Sequence, residues 1–173
     1  SCGNDSIYKI PYKDTYVKQA LVAENEFRVQ QPKYVTLPTF AEAKQILPNP
    51  IWAGHEEEIN MYWRAWEIGV GNLRNPQPGS GFIMPYIDTA YNGNIFMWDS
   101  SFILMFARYG ARFFPFQNTL DNFYAKQHPD GFICREIKAD GADCFERYDP
   151  VSTGPNLIPW CEMVYFHQFG DME

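Results

Sequence analysis

The sequence predicts an all-α fold, and three stretches carry that prediction. Residues 55–71 repeat apolar side chains at helical spacing, residues 99–109 are apolar on nearly every face, and residues 157–169 place apolar side chains on one face. A helix that is apolar on nearly every face needs a second layer of helices to cover it. We therefore expect helical hairpins in an inner and an outer layer, in preference to a simple bundle.

The first 38 residues show no sustained periodicity, and we expect a polar tether followed by extended segments. The first helix is predicted over residues 40–47, because Thr39 and Glu42 fit a capping box. Pro48 and Pro50 end this helix, since neither can donate a backbone hydrogen bond.

The second helix is predicted over residues 55–71. Three glutamates occupy its first turn, where the helix dipole favours negative charge. The side chains expected to face the core recur at helical spacing: Ile59, Tyr62, Trp63, Trp66 and Val70. The Pro- and Gly-rich residues 75–81 then predict a loop.

Three further helices are predicted, over residues 99–110, 116–126 and 157–169, with a long loop or hairpin over 132–156. Asp99 is expected to be the N-cap of the first of these. In the second, one face carries Leu120, Phe123 and Tyr124. In the last, the inward residues are expected to be Leu157, Trp160, Cys161, Val164 and Tyr165.

Composition and charge exclude some classes of partner. The net charge of -7 argues against nucleic acid, which proteins bind through Lys and Arg surfaces. No apolar run approaches the ~20 residues needed to cross a bilayer. Aromatic residues make up 17% of the chain, which suits either a stiff core or a site where sugar rings stack on aromatic planes.

The amino terminus reads SCGNDS and stays polar, which resembles the mature end of a Bacteroidetes-type lipoprotein. The resemblance implies that Cys2 carries a lipid and that the chain is anchored in the bacterial periplasm or at the outer-membrane surface. The alternative is an incidental cysteine near a chain terminus.

The other cysteines are Cys134, Cys144 and Cys161. They allow at most one disulfide among themselves, and Cys134 with Cys144 is the closest pair in sequence; alternatively, all three are buried small apolar residues. No paired His or Cys spacing indicates zinc, and we expect neither a metal nor a cofactor.

Three segments in the same order resemble motifs of the six-hairpin glycosidases, the (α/α)6-barrel enzymes that include trehalases, processing α-glucosidases and mannosylglycerate-hydrolase-like proteins. Residues 96–102 read FMWDSSF and resemble the WDS-aromatic signature. Residues 131–137 read GFICREI and resemble a GFI-x-RE segment, and residues 156–160 read NLIPW where that family starts its next inner helix. The resemblance implies that residues 39–173 are the first helical hairpins of an (α/α)6 toroid.

The resemblance also implies a site. Trp98 and Asp99 would bind the sugar at the position of cleavage, because a carboxylate accepts hydrogen bonds from adjacent hydroxyls and Trp supplies an apolar wall. Arg135 and Glu136 would contact the same sugar from their loop. Further candidates are Tyr91, Asp121 and Asp130. In the alternative interpretation, Asp99 only caps its helix, Trp98 lies in the core, and Arg135 and Glu136 are a solvent-exposed pair.

The implied reaction is inverting hydrolysis of α-linked sugars, in an oligosaccharide or a small glycoside, by a general acid and a general base. In the family, both carboxylates lie on later segments, so we assign neither role here. We expect the rest of the barrel to come from a longer chain or a partner subunit, and the isolated 173-residue chain to be inactive. The alternatives are a non-catalytic glycan-binding module and a structural surface lipoprotein.

Overall fold

A computed structural model describes residues 25–129, 131–146 and 154–170 of the chain. The fold of these residues is α-rich, as predicted. Five α-helices occur among them: α1 (Phe40–Ile46), α2 (Glu56–Gly71), α3 (Met97–Ala107), α4 (Thr119–Ala125) and α5 (Ile158–Phe169). Two 3-10 turns, Arg108–Gly110 and Phe116–Asn118, extend α3 and precede α4. The lipid-bearing Cys2 expected from the sequence lies outside the described residues.

Four two-residue strands occur among the described residues, where the sequence predicted only loop with short extended pieces over 82–96 and a long loop or hairpin over 132–156. β1 (Leu73–Arg74) pairs with β2 (Tyr86–Ile87), and β3 (Ile95–Phe96) pairs with β4 (Glu136–Ile137), both antiparallel. An isolated antiparallel bridge also joins Ile137 to Asp143. It forms a hairpin within residues 132–156, where a long loop or hairpin was predicted. Strands this short carry too few residues for alternation to appear in the sequence.

The predicted capping box at α1 is confirmed. Thr39 Oγ1 accepts a hydrogen bond from the Glu42 amide at 3.3 Å, and Glu42 Oε2 accepts one from the Thr39 amide at 2.8 Å. Two amide groups that a free helix end would leave unpaired are therefore satisfied.

The core is built around Trp66 of α2, which is 3% exposed. Its ring lies 5.3 Å from that of Phe106 and 6.0 Å from that of Phe116, centroid to centroid. The backbone of Gly110 also approaches closely, because a methyl group there would lie 2.9 Å from the Trp66 ring. The apolar stripe predicted for α2 therefore faces the core.

Asn122 of α4 joins this core to the loop before β2. Its side chain is fully buried. The carboxamide oxygen accepts hydrogen bonds from the amides of Ile83 (2.8 Å) and Met84 (3.0 Å), and the nitrogen donates to the Met84 carbonyl at 3.0 Å. The Asn122 side chain thus supplies the hydrogen bonds that a neighbouring strand would otherwise provide to the backbone of residues 83 and 84.

The expectation that α3 is enclosed on nearly every face is wrong for the described residues. Trp98, Phe102 and Phe106 remain 46%, 47% and 38% exposed, along one side of the helix. α5 packs beside α3 and its Trp160 ring lies 5.9 Å from Phe102, yet Trp160, predicted to face inward, is itself 40% exposed. Among the described elements none covers this side, so both helices share an exposed aromatic face.

Candidate functional site

The start of α3 and the Arg135 loop are held together by backbone hydrogen bonds. β3 leads straight into α3, and Phe96 pairs with Glu136 in the β3–β4 register. The Met97 amide then donates to the Arg135 carbonyl at 2.8 Å. These bonds use only main-chain atoms. They bring the FMWDSSF and GFICREI segments, which are far apart in sequence, side by side.

A cavity of about 220 Å³ opens at this junction, and we call it the Trp98 cavity. The structure brings three of the four predicted sugar-binding residues into its lining, namely Trp98, Asp99 and Arg135. The remaining wall comes from Phe96, Met97, Gly154 and Pro155. The cavity therefore combines an aromatic ring, a carboxylate and a guanidinium within one concave surface.

Asp99 is not the N-cap of α3, which corrects the prediction. Phe96 occupies the cap position with extended backbone angles, and no side chain caps the helix. The pairing of β3 fixes the helix start at Met97, two residues earlier than the polar-to-apolar change in the sequence indicated. Asp99 lies in the first turn, exposed, and its carboxylate makes no hydrogen bond or ion pair with any described residue. Helix capping therefore does not explain an aspartate at this position.

Arg135 is half-buried and is positioned by packing. Its guanidinium carbon lies 4.1 Å from the centroid of the Phe145 ring, a cation–π contact. Its Nε is buried without a hydrogen-bond partner, and among the described residues no carboxylate pairs with it. Gly154 leaves room for the side chain, because a methyl group there would lie 3.1 Å from Arg135 Cδ.

Glu136 does not line the Trp98 cavity. It is 2% exposed, and its Oε1 accepts a hydrogen bond from Asn94 Nδ2 at 2.7 Å. Successive side chains of a strand point to opposite faces, so placing Arg135 toward the cavity turns Glu136 into the protein. The structure therefore gives Glu136 a buried structural contact, which differs both from the predicted place beside Arg135 in the sugar site and from the alternative of a solvent-exposed pair.

Neither of the further candidates that the structure describes, Tyr91 and Asp121, is in the lining of the Trp98 cavity. Tyr91 is 73% exposed, with its ring 6.3 Å from that of Phe96, and Asp121 lies on α4 near Glu162 of α5. Asp130 lies outside the described residues.

Asp121 belongs to a half-buried polar cluster between α4 and α5. Glu162 accepts hydrogen bonds from Tyr124 Oη at 2.8 Å and from Gln117 Nε2 at 2.6 Å. Burial and the nearby charge of Glu162 raise the pKa of Asp121 to about 6, although Lys33 opposes the shift. Burial and Glu162 also raise the pKa of Tyr124. This cluster joins two helices and does not reach the cavity.

The cysteines in the described part do not form the closest possible pair. Cys134 and Cys161 are free thiols, so no Cys134–Cys144 disulfide forms. Burial raises the pKa of Cys134 and raises that of Cys161 to about 11, which keeps both thiols protonated at neutral pH. Both therefore behave as buried apolar residues, as the second interpretation of the sequence expected of all three cysteines. Cys144 departs from that interpretation, because it is half-buried and disulfide-bonded.

The described residues carry neither a metal-binding cluster nor a helix suited to span a membrane. They contain no group of His, Cys, Asp and Glu side chains arranged to hold a metal ion. No helix in these ranges combines the length and apolar character that a membrane span requires.

Sequence reasoning missed two features of the site. Phe145 supports Arg135, but nothing in its sequence context distinguishes it from other loop aromatics. Asn156 lines a second cavity beside the first; its place at the start of the NLIPW motif was the only available signal.

Comparison of the chain with protein-family models, curated proteins and solved structures found no match.

Proposed function

We propose that this chain contributes the sugar-binding wall of a glycoside hydrolase that acts on α-linked sugars. The observation that carries the proposal is the meeting of Trp98, Asp99 and Arg135 in one cavity. An exposed carboxylate accepts hydrogen bonds from hydroxyl pairs, a guanidinium donates to them, and an indole packs against the apolar C–H face of a sugar ring. These are the few directed polar groups and the apolar wall that small-ligand sites use.

The proposed reaction is inverting hydrolysis, which needs two carboxylates about 6.5–9.5 Å apart. Among the described lining residues of the Trp98 cavity, Asp99 is the single carboxylate. The general acid and base would therefore come from outside the described residues, in a longer chain or a partner subunit. The exposed aromatic face of α3 and α5 supports this arrangement, because further hairpins of an (α/α)6 toroid would cover it.

The proposed location is the bacterial periplasm or the outer-membrane surface, with a lipid on Cys2. This part of the proposal rests on the SCGNDS sequence, since Cys2 lies outside the described residues.

A non-catalytic glycan-binding module is the second candidate. This candidate is favoured because the described wall of the Trp98 cavity supplies one carboxylate, whereas inverting hydrolysis needs two. Saccharide binding that is never accompanied by hydrolysis, with the isolated chain or with any longer form of it, would support this candidate over the enzyme.

Substitution of Asp99 tests both candidates against a purely structural role. We expect Asp99→Ala to weaken binding of α-linked glucosides and mannosides by ~1.5–3 kcal/mol, the worth of a charge-assisted hydrogen bond, with little loss of thermal stability. Glu57→Ala is the matched control, because Glu57 is also an exposed first-turn carboxylate but lies on α2, away from the cavity. Titration calorimetry and thermal unfolding measure the two effects separately.

Two results would contradict the proposal. One is unchanged saccharide affinity in Asp99→Ala together with a melting temperature lowered as in Glu57→Ala, which would leave Asp99 a helix-dipole residue. The other is the absence of saccharide binding by the unsubstituted chain.

A further inference from the structure

A second cavity adjoins the Trp98 cavity. It measures about 210 Å³, and we call it the Phe132 cavity after the aromatic residue in its wall. Both cavities are lined by Met97, Arg135 and Gly154, so these three residues form a shared waist. The two spaces are therefore compartments of one groove.

Their sizes indicate how the groove is filled. Each compartment is smaller than the ~300 Å³ at the lower end of ligand pockets, whereas the two together fall within the usual range of ~300–1,000 Å³. A ligand confined to one compartment would leave much of its surface in water. A ligand that crosses the waist would be buried by both.

The Phe132 cavity has polar groups of its own. Asn156 Oδ1 accepts a hydrogen bond from the Ile158 amide at 3.1 Å, while its Nδ2 makes none with described residues. Gln127 Nε2 donates to the Gly131 carbonyl at 3.1 Å, which leaves the Gln127 carboxamide oxygen as an acceptor. Together with the half-buried Phe132 ring, the compartment offers one donor, one acceptor and an apolar wall, which suits hydroxyl-bearing rings.

Arg135 stands at the waist with its orientation fixed by packing. The Phe145 ring holds the guanidinium, and no described carboxylate competes for its donors. Because Arg135 lines both compartments, a single residue can contact groups on either side of a linkage.

We propose that the two cavities are adjoining subsites, and that the ligand is an oligosaccharide of at least two sugar units whose linkage lies at Arg135. The inference rests on the proposed function and adds to it the length of the ligand and the residues of the second subsite.

The test compares one sugar unit with two on the full chain. The probes are methyl α-glucoside and methyl α-mannoside, against the α-linked disaccharides maltose, trehalose and α-mannobiose. We expect the single units to shift the Trp98 indole N–H signal in nitrogen-15 NMR spectra and to leave the Asn156 side-chain amide unchanged. At least one disaccharide should shift both signals and bind 5- to 10-fold more tightly.

Asn156→Asp sharpens the test. An aspartate keeps the oxygen that accepts from the Ile158 amide and so preserves the start of α5, but it removes the Nδ2 donor. We expect this variant to lose the preference for the disaccharide while its affinity for the single unit stays unchanged. The affinity for the single unit is then an internal control for folding.

The outcomes distinguish a failure of the second subsite from a failure of the proposed function. If the disaccharides bind no tighter than the single units and shift only Trp98, or if Asn156→Asp keeps the preference, the second subsite is wrong and the proposed function stands. If no saccharide shifts Trp98, the proposed function fails and the second subsite fails with it.

Discussion

Asp121 and Glu162 lie close enough, between α4 and α5, for their charges to interact. Glu162 accepts two hydrogen bonds, from Gln117 and Tyr124, and Asp121 experiences both burial and the neighbouring negative charge of Glu162. Its pKa of about 6 lies above the value near 3.9 of an unfolded aspartate. Between those two values the folded chain binds more protons at Asp121 than the unfolded chain does.

The stability that Asp121 contributes is therefore present below about pH 4 and is lost as pH rises through about 6. We expect Asp121→Asn, which stays neutral, to gain stability relative to the unsubstituted chain by ~1–2 kcal/mol between pH 4 and pH 7. Urea unfolding at a series of pH values measures this difference. Glu26→Gln, at an exposed carboxylate, reports the general effect of removing one negative charge. Parallel curves for Asp121→Asn and the unsubstituted chain would refute the coupling.

At the scale of single residues, the sequence predicted types of chemistry better than it predicted orientations. The motif resemblance selected Trp98, Asp99 and Arg135, which the structure brings into one cavity. It also selected Glu136, which the strand register turns inward. A two-residue strand leaves no alternation to read, so the side on which each residue of the pair would lie was not available from the sequence.

At the scale of elements, the sequence predicted features that depend on neighbouring residues and missed features that depend on pairing between distant segments. The helix patterns and the Thr39–Glu42 capping box are local, and they located each α-helix to within three residues. The start of α3 was placed too late because it depends on pairing with β4, some forty positions further along the chain. Asn122 was missed for the same reason, since its partners at residues 83 and 84 are brought to it only by the fold.

The hairpin that follows β4 is fixed to the loop before β2 at Gly141. This residue has a φ of +88°, and a methyl group added to it would lie 1.7 Å from the Ser80 carbonyl oxygen. We expect Gly141→Ala to destabilise the chain by more than ~2 kcal/mol, because strain at positive φ is added to a clash with backbone.

Gly93→Ala is the matched control for Gly141. Its φ is +80°, and nothing lies within 4 Å of the added methyl group, so we expect only the ~1–2 kcal/mol of strain at positive φ. Chemical denaturation of both variants gives the comparison. Equal losses would mean that the Ser80 contact adds nothing to the stability of the hairpin.

At the scale of the whole molecule, the main departure from a closed core is the exposed aromatic face of α3 and α5. The large apolar side chains of these two helices that are at least 38% exposed are Trp98, Phe102, Phe106, Trp160, Met163, Phe166 and Phe169. Among them the ring of Phe102 lies 5.7 Å from that of Trp98 and 5.9 Å from that of Trp160, and an exposed aromatic cluster of this kind is unusual for a chain that exposes it to water. The sequence predicted Phe102, Phe106 and Trp160 as buried, because apolarity indicates what should be covered and does not identify the covering element.

The exposed face predicts binding of an apolar dye. We expect the folded chain to enhance the fluorescence of anilinonaphthalene sulfonate, and the double substitution Phe102→Gln with Met163→Gln to reduce that signal by about half or more. Ile51→Gln is the control, because Ile51 is 92% exposed but lies away from this face. A signal that does not change in the double variant would place the dye elsewhere.

The hydrogen bond from the Met97 amide to the Arg135 carbonyl has an evolutionary consequence. The groove is shaped where two main-chain segments meet, and the side chains at positions 98, 99 and 135 take no part in that pairing. A mutation at any of the three can therefore alter which ligand is selected while the scaffold persists. Descendants of this chain could diverge in specificity by single substitutions, with each intermediate still folded.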